Sequence, residues 1–361
     1  MMKTGIPKIG IPRETMRGEG RVALVPADCR ILVEAGCHVS IEQGAGVNSG
    51  YVDENYRAAG VELLSSAEAL YAAAKLVVKV KQPLAHDLKY LRKDHLLFSY
   101  LHLAADIPLI EKLCELGLTA IPFEMVSNDA GEHPLLAPMS AVAGRLSIIR
   151  GARLLFGTSG GRGVLLGGVD GAERGRVVVL GAGVAGTHAV TTALGLEAEV
   201  HVFDLVEQRL AALKAQHPEL ITHLSEPDLV AEVCEQADLV VGAVMVAGRR
   251  APVVLTRKMI ERMPNGSVIV DIAIDQGGCV EDIRVTDAEE LAYTSQGVIH
   301  SAVPNMPGAV PRTAAQSLSA AVRPYVQRLA EGALASDSDL QKAIAVSEGR
   351  VVDPVLVEEM R

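Results

Sequence analysis

Residues 176–204 read RVVVLGAGVAGTHAVTTALGLEAEVHVFD, and this stretch decides the fold. Four apolar β-formers, residues 177–180, run into Gly181-Ala182-Gly183-Val184-Ala185-Gly186. An Ala-rich segment follows, and a second apolar run, residues 200–203, ends on Asp204. The order is strand, glycine turn, helix, strand, acid. Gly181 permits a tight turn and Gly183 lets a pyrophosphate come close to the backbone. Gly186 lets the helix pack against the strand, and the helix N-terminus faces the phosphates. Asp204 lies 18 residues beyond the last glycine. A carboxylate there accepts hydrogen bonds from the adenosine ribose hydroxyls and repels a 2′-phosphate. The stretch therefore predicts a dinucleotide site with NAD favoured over NADP, a preference that the nearby basic residue Arg209 weakens. The competing reading is a glycine-rich α/β turn with no ligand, and the register of both strands, helix and acid weighs against it.

The rest of the chain fits a large α/β protein. Its 361 residues are enough for two domains, and 49% of them are hydrophobic, rich in Ala, Val, Leu and Gly. That composition suits parallel sheets buried on both faces. The net charge is −10, both signs are spread along the chain and there is no basic block. Nucleic acid and anionic membrane are therefore excluded as expected partners. No apolar run reaches the length of about 18 residues that spans a bilayer. The N-terminus carries no apolar signal core. The cysteines (Cys29, Cys37, Cys114, Cys234 and Cys279) are odd in number, scattered and without a CxxC pair. They read as reduced thiols of a cytoplasmic protein with no zinc or other metal site.

Along the first third, short apolar runs alternate with helical segments. Strands are predicted at 8–12, 38–42, 76–80, 94–103 and 119–122, which makes a separate parallel sheet. A helix rich in small residues is predicted over 141–156. The glycine run at 158–163 lacks a preceding strand and the Lys-Ser/Thr ending of a phosphate loop, and reads as a packed turn or interface loop. After the opening motif, strands are predicted at 238–241 and 267–275. A long helix follows over 313–332, which Pro324 kinks or interrupts, and further helical segments form the tail.

In open parallel sheets, ligands sit beyond the carboxyl ends of the strands. Lys81, His102, Asp275 and Asn305 are polar residues at such ends, and Arg21 sits in a loop beside a strand start. A lysine there can hold a carboxylate or carbonyl oxygen. Period-two spacing does not choose between Lys79 and Lys81. His102, in an apolar context at a strand end, is placed for acid/base work, against the alternative of a satisfied core histidine. Asp275 stands nearer the cofactor crevice than Asp271, which reads as structural. Arg21 is suited to a two-pronged grip on a carboxylate, against the alternative of a surface ion pair. A redox cofactor with cations, a His and an Asp points to hydride transfer on a small carboxylate-bearing substrate. Whether that is a hydroxy acid or an amino acid stays open on these residues.

The chain resembles the alanine dehydrogenase/pyridine nucleotide transhydrogenase family. The resemblance rests on Gly10-Ile11-Pro12-Arg13-Glu14, Arg21-Val22-Ala23-Leu24, Lys79-Val80-Lys81 and Leu101-His102-Leu103-Ala104. It continues through residues 134–140, 160–168, the GAGVAG turn, 270–279 and 303–311, in order over nearly the whole chain. It implies two Rossmann-like doubly wound parallel-sheet domains. The substrate domain is made of residues 1–133 and a helical 308–361, and the NAD domain, 134–307, is inserted between them. It further implies that Arg21 and Lys81 bind the substrate carboxylate and carbonyl, and that His102 and Asp275 are the acid/base pair. Positions matching the NAD contacts are Ser140, Gly181, Gly183, Val184, Gly186, Asp204, Arg209, Ser225, Val244, Met245, Ile272, Ala273, Ile274, Asp275, Val303, Pro304, Asn305 and Met306. The implied reaction converts L-alanine, water and NAD⁺ to pyruvate, ammonium and NADH, in an assembly that is commonly a hexamer and less often a dimer. The chain departs from the family pattern at Gln82 (usually Glu in KVKEP), at Ala141 (usually Glu in MSEVAGR) and over 314–320. Two other readings are a related dehydrogenase or reductive-condensing enzyme on another amino or 2-oxo acid, and a transhydrogenase-like NAD-binding subunit without turnover. The intact Arg21, Lys81, His102 and Asp275 count against the second.

Overall fold

The structure is a computed structural model that describes residues 8–245, 250–287 and 290–359. The chain forms two compact units, one of Met1–Met139 with Gly308–Arg361 and one of Ser140–Pro307. Each is built on one mostly parallel sheet.

In the first unit, β1 (Ile9–Ile11), β2 (Val39–Glu42), β3 (Glu62–Leu64), β4 (Leu76–Val78), β5 (Leu96–Ser99) and β6 (Thr119–Pro122) pair in the order β6-β5-β4-β1-β2-β3. The chain runs outward from β1 to β3, returns to the other side of β1 at β4, and runs outward again. The switch point therefore lies between β1 and β4. Alternation along the strands sends Leu76 and Val78 into one apolar core and Val77 into another. This is why these strands read as unbroken apolar runs. Helix Pro311–Ala330 covers the first of these cores with Ala314, Leu318, Val322 and Val326. Pro324 sits inside this helix without ending it. Ser319 Oγ accepts the Val25 N–H at 2.9 Å and donates to Asp28 at 2.5 Å, which ties the C-terminal part to the N-terminal part.

The second unit repeats the layout. β7 (Arg176–Leu180), β8 (Glu199–Asp204), β9 (Ile221–Leu224), β10 (Leu239–Gly242), β11 (Val268–Asp271), β12 (Tyr293–Ser295) and β13 (Val298–Ser301) pair in the order β12-β13-β11-β10-β7-β8-β9. Only β12 is antiparallel to its neighbour. Val177 and Val179 face one core, Val178 and Leu180 the other. The switch point lies between β7 and β10, where the glycine turn begins.

Several sequence expectations are corrected. The strand expected over 94–103 is only Leu96–Ser99, and that expected over 267–275 is only Val268–Asp271. Both chains then turn, and the polar ends lie in 3-10 turns or loops. The tail of the first unit is not wholly helical: residues 346–347 and 350–351 form a hairpin that pairs antiparallel with β6. Such two-residue strands carry too little periodicity to be read in sequence. The glycine run at 158–163 is a packed turn. A Cβ on Gly161 would lie 2.2 Å from the Leu154 carbonyl oxygen, and Arg162 binds Asp238 at 2.6 Å.

Candidate active site

Three of the expected residues follow the three adjacent strands β1, β4 and β5 of the first unit. Arg21, in the loop after β1, is 3% exposed. Its Nε donates to Glu19 Oε1 at 2.7 Å and its Nη2 to Glu19 Oε2 at 2.5 Å, while Nη1 points at Met139 Sδ, 2.9 Å away. The ion pair is thus buried and bidentate, not a surface contact. It holds the guanidinium by one edge.

The structure separates the two lysines that spacing could not. β4 ends at Val78, so period-two alternation does not extend to them. Lys79 turns inward, 1% exposed, between Glu14 (3.5 Å) and Asp87 (3.4 Å). Lys81 is half-buried in the bend that follows. His102 is exposed and adopts a left-handed backbone, φ 48°. Its N–H donates to Glu124 Oε1 at 2.6 Å, and the preceding Leu101 N–H to the same oxygen at 3.2 Å. Its ring stacks on Tyr100 with centroids 6.1 Å apart. The Tyr100 N–H in turn bonds the Val80 carbonyl at 3.1 Å. Burial pushes the Tyr100 phenol up and keeps it protonated; Arg21 opposes that rise, and Glu124 and Glu19 add to it. A buried cation, a half-buried cation and an exposed imidazole are therefore set on one connected framework. That set can hold a carboxylate and a polarised carbonyl and move a proton.

In the second unit, the glycine turn fits a pyrophosphate. Gly181 has φ 103°, and a Cβ there would meet the Ala243 carbonyl oxygen at 2.7 Å. A Cβ on Gly186 would sit 1.7 Å from the Gly181 oxygen, so helix and turn touch only because that residue is glycine. A Cβ on Gly183 meets nothing within 4 Å, so the approach to this backbone is open. Helix Val184–Gly195 starts there with no side-chain cap. The first N–H groups of a helix have no acceptor within it, so this end is suited to an anion. Asp204, at the end of β8, accepts from Ala182 N–H at 2.7 Å and Val206 N–H at 2.8 Å. Each carboxylate oxygen keeps a second lone pair, so ribose hydroxyls can still bind. Arg209 lies 3.7 Å from Asp204.

The other positions expected at the cofactor stand at strand ends of the same sheet. Ser225 follows β9, and Val244 and Met245 follow β10. Ile272, Ala273, Ile274 and Asp275 follow β11, and Val303, Pro304, Asn305 and Met306 follow β13. Ser140 lies in the first turn of helix Ala137–Leu154. Asp275 is exposed, in the 3-10 turn Ile274–Gln276, and accepts the Asn305 N–H at 3.4 Å. Asp271 is fully buried and accepts from the N–H groups of Ala273 (2.9 Å), Cys279 (2.8 Å) and Val280 (3.1 Å). It ties down the loop that presents Asp275. Burial still pushes its carboxyl above the usual range, against those three hydrogen bonds. Among the described residues, no group of three or more His, Cys, Asp or Glu is arranged to hold a metal ion, and no helix is long and apolar enough to cross a membrane.

Sequence reasoning assigned no role to Glu14, Glu19 or Glu124, the carboxylates that hold the Lys81 segment, Arg21 and His102. Glu19 carried a signal, being two residues from Arg21. Glu14 and Glu124 are 67 and 22 positions from the residues they serve, and only the fold connects them.

Comparison with known proteins follows the same outline. Residues 10–143 match the family described as alanine dehydrogenase/PNT, N-terminal domain, and residues 147–354 its C-terminal domain. The chain is 42% identical over 357 residues to an alanine dehydrogenase of Mycolicibacterium smegmatis, covering 98% of this chain and 96% of that one. It is 41% identical over 358 residues to an alanine dehydrogenase of Bacillus subtilis, with coverage of 98% and 94%. A solved L-alanine dehydrogenase superposes with a TM-score of 0.94 at 45% identity, covering 98% of this chain and 99% of that chain. A transhydrogenase from Sinorhizobium meliloti, 24% identical with a TM-score of 0.81, shares the fold. With both domains matched and identity above 40% from end to end, the chain belongs to the alanine dehydrogenase family, whose members use a pyridine nucleotide.

Proposed function

We propose that the protein catalyses the reversible, NAD-dependent oxidative deamination of L-alanine to pyruvate and ammonium. The observation that carries this reading is the end-to-end identity with alanine dehydrogenases, in a chain that retains Arg21, Lys81, His102 and Asp275. NAD, when bound, accepts the hydride from the substrate α-carbon. In this reading Arg21 holds the substrate carboxylate, and Lys81 polarises the oxygen or nitrogen on the α-carbon. His102 and Asp275 move the protons as water adds to the imine carbon and ammonia leaves. Asp204, a carboxylate at the end of β8, disfavours a 2′-phosphate, which supports NAD over NADP. The substrate unit of this reading is Met1–Met139 with Gly308–Arg361, and the cofactor unit is Ser140–Pro307. As in the family, a hexamer or dimer in the cytoplasm is the assembly we infer.

The test is NADH oxidation with pyruvate plus ammonium, run beside NADPH and a panel of other 2-oxo acids and amines. Fast turnover with pyruvate, ammonium and NADH supports the proposal. A protein that ignores pyruvate and reduces another 2-oxo acid overturns the substrate, and equal use of NADPH overturns the cofactor preference.

A further inference from the structure

Lys81 is set between two backbone anchors whose carboxylates share one buried cation. Upstream, the Val80 N–H donates to Glu14 Oε1 at 2.7 Å. Downstream, the Leu84 N–H donates to Asp87 Oδ2 at 3.0 Å. Lys79 lies 3.5 Å from Glu14 and 3.4 Å from Asp87, and the three side chains are 4% exposed or less. The Tyr71 hydroxyl adds a donor to Asp87 Oδ1 at 2.9 Å. The Val80 carbonyl accepts from Tyr100 N–H at 3.1 Å, which links the same segment to the strand leading to His102.

Buried charges cost several kcal/mol each to desolvate, and such a cluster is no gain in stability over apolar packing. Two carboxylates flanking one ammonium in the interior need another reason to be there. The backbone they grip supplies it, since both N–H acceptors bracket the bend that carries Lys81. We propose that Glu14, Lys79 and Asp87 form a positioning device for Lys81, with Glu14 as the post that holds the Val80 N–H. The inference rests on the reading that Lys81 meets the substrate. Burial raises the Glu14 carboxyl and Lys79 opposes that rise, so Lys79 favours the charged form of Glu14 that binds the N–H most strongly.

The test is a double-mutant cycle of Glu14→Ala with Lys81→Ala. Pyruvate affinity is read from NADH fluorescence of the enzyme–NADH complex without ammonium, beside steady-state KM and kcat. Glu14→Ala should raise the pyruvate KM roughly tenfold, the scale of one lost charge-assisted hydrogen bond, while NADH affinity stays unchanged. Glu14→Gln, which keeps an acceptor oxygen, should recover most of that loss. In the Lys81→Ala background, Glu14→Ala should weaken pyruvate no further, because residues acting through one another are not additive. If Glu14→Ala does not fold, Glu14→Leu, which fills the same space without an acceptor oxygen, takes its place and the same non-additivity is required. Additive losses, or a pyruvate KM in Glu14→Ala equal to that of a wild-type protein that turns over pyruvate, sink this inference and leave the activity standing. No turnover by the wild-type protein overturns both.

Discussion

Glu19 and Arg21 meet edge to edge inside the first unit, with side chains 0% and 2% exposed. Two parallel hydrogen bonds of 2.7 and 2.5 Å join them, and the Arg21 N–H adds a third to Glu19 at 2.9 Å. Removing the acid breaks a buried ion pair, which costs about 3–5 kcal/mol. Glu19→Gln should therefore lower the urea midpoint and, in the protein that remains folded, raise the pyruvate KM more than it lowers kcat. Unchanged stability would mean that the pair is not buried in solution.

The glycine turn offers a contrast within six residues. A Cβ at 186 would lie 1.7 Å from the Gly181 carbonyl oxygen, whereas a Cβ at 183 would meet nothing within 4 Å. Gly186→Ala should yield little folded protein. Gly183→Ala should fold with a normal melting temperature and lose NADH affinity, because the methyl group would stand where the proposed reading brings the pyrophosphate to the backbone. Calorimetry and NADH fluorescence separate the two effects. Full NADH affinity in Gly183→Ala would remove the pyrophosphate from that backbone.

The parts of the fold legible in the sequence are those with a strong local period. The run 177–180 and the glycine turn sit where the motif placed them, because a parallel strand buried on both faces and a turn with no room for a Cβ leave few alternatives in residue type. The short edge strands Glu62–Leu64, Ile221–Leu224 and Tyr293–Ser295 were missed because three or four residues show no period that decides between strand and loop. The lysines show the limit at the candidate site. Lys79 and Lys81 look alike in sequence. What separates them is a strand that stops at Val78 and two carboxylates, Glu14 and Asp87, that arrive from elsewhere in the chain.

His102 combines an exposed ring with a constrained backbone. Its left-handed conformation is uncommon for a residue with a Cβ, and Glu124 holds it through two successive N–H groups. His102→Ala should cut kcat by about 10²–10⁴, the range of a lost general acid/base, while NADH still binds. Glu124→Ala should lower kcat by up to about 10², since a misplacement of roughly 1 Å carries that penalty, and leave NADH affinity alone. Retained turnover in His102→Ala would remove the acid/base assignment.

Acid should weaken the fold through histidines that are buried in neutral form. His95 and His300 are 2% and 3% exposed, and burial pushes both below the usual value of 6.5. For His95 the Arg92 charge acts in the same direction. A depressed histidine binds fewer protons folded than unfolded, so its contribution is present above pH 6.5 and is lost as pH falls through the folded value. The urea midpoint should therefore drop between pH 7.5 and 5.5. The buried carboxyls Glu14 and Asp271 are raised and slope the other way, so the comparison is made between wild type and His300→Phe. Phenylalanine keeps the stack on Tyr293, now at 5.1 Å and 11°, and removes the titration. The variant should show a shallower fall over that window, and identical slopes would acquit His300.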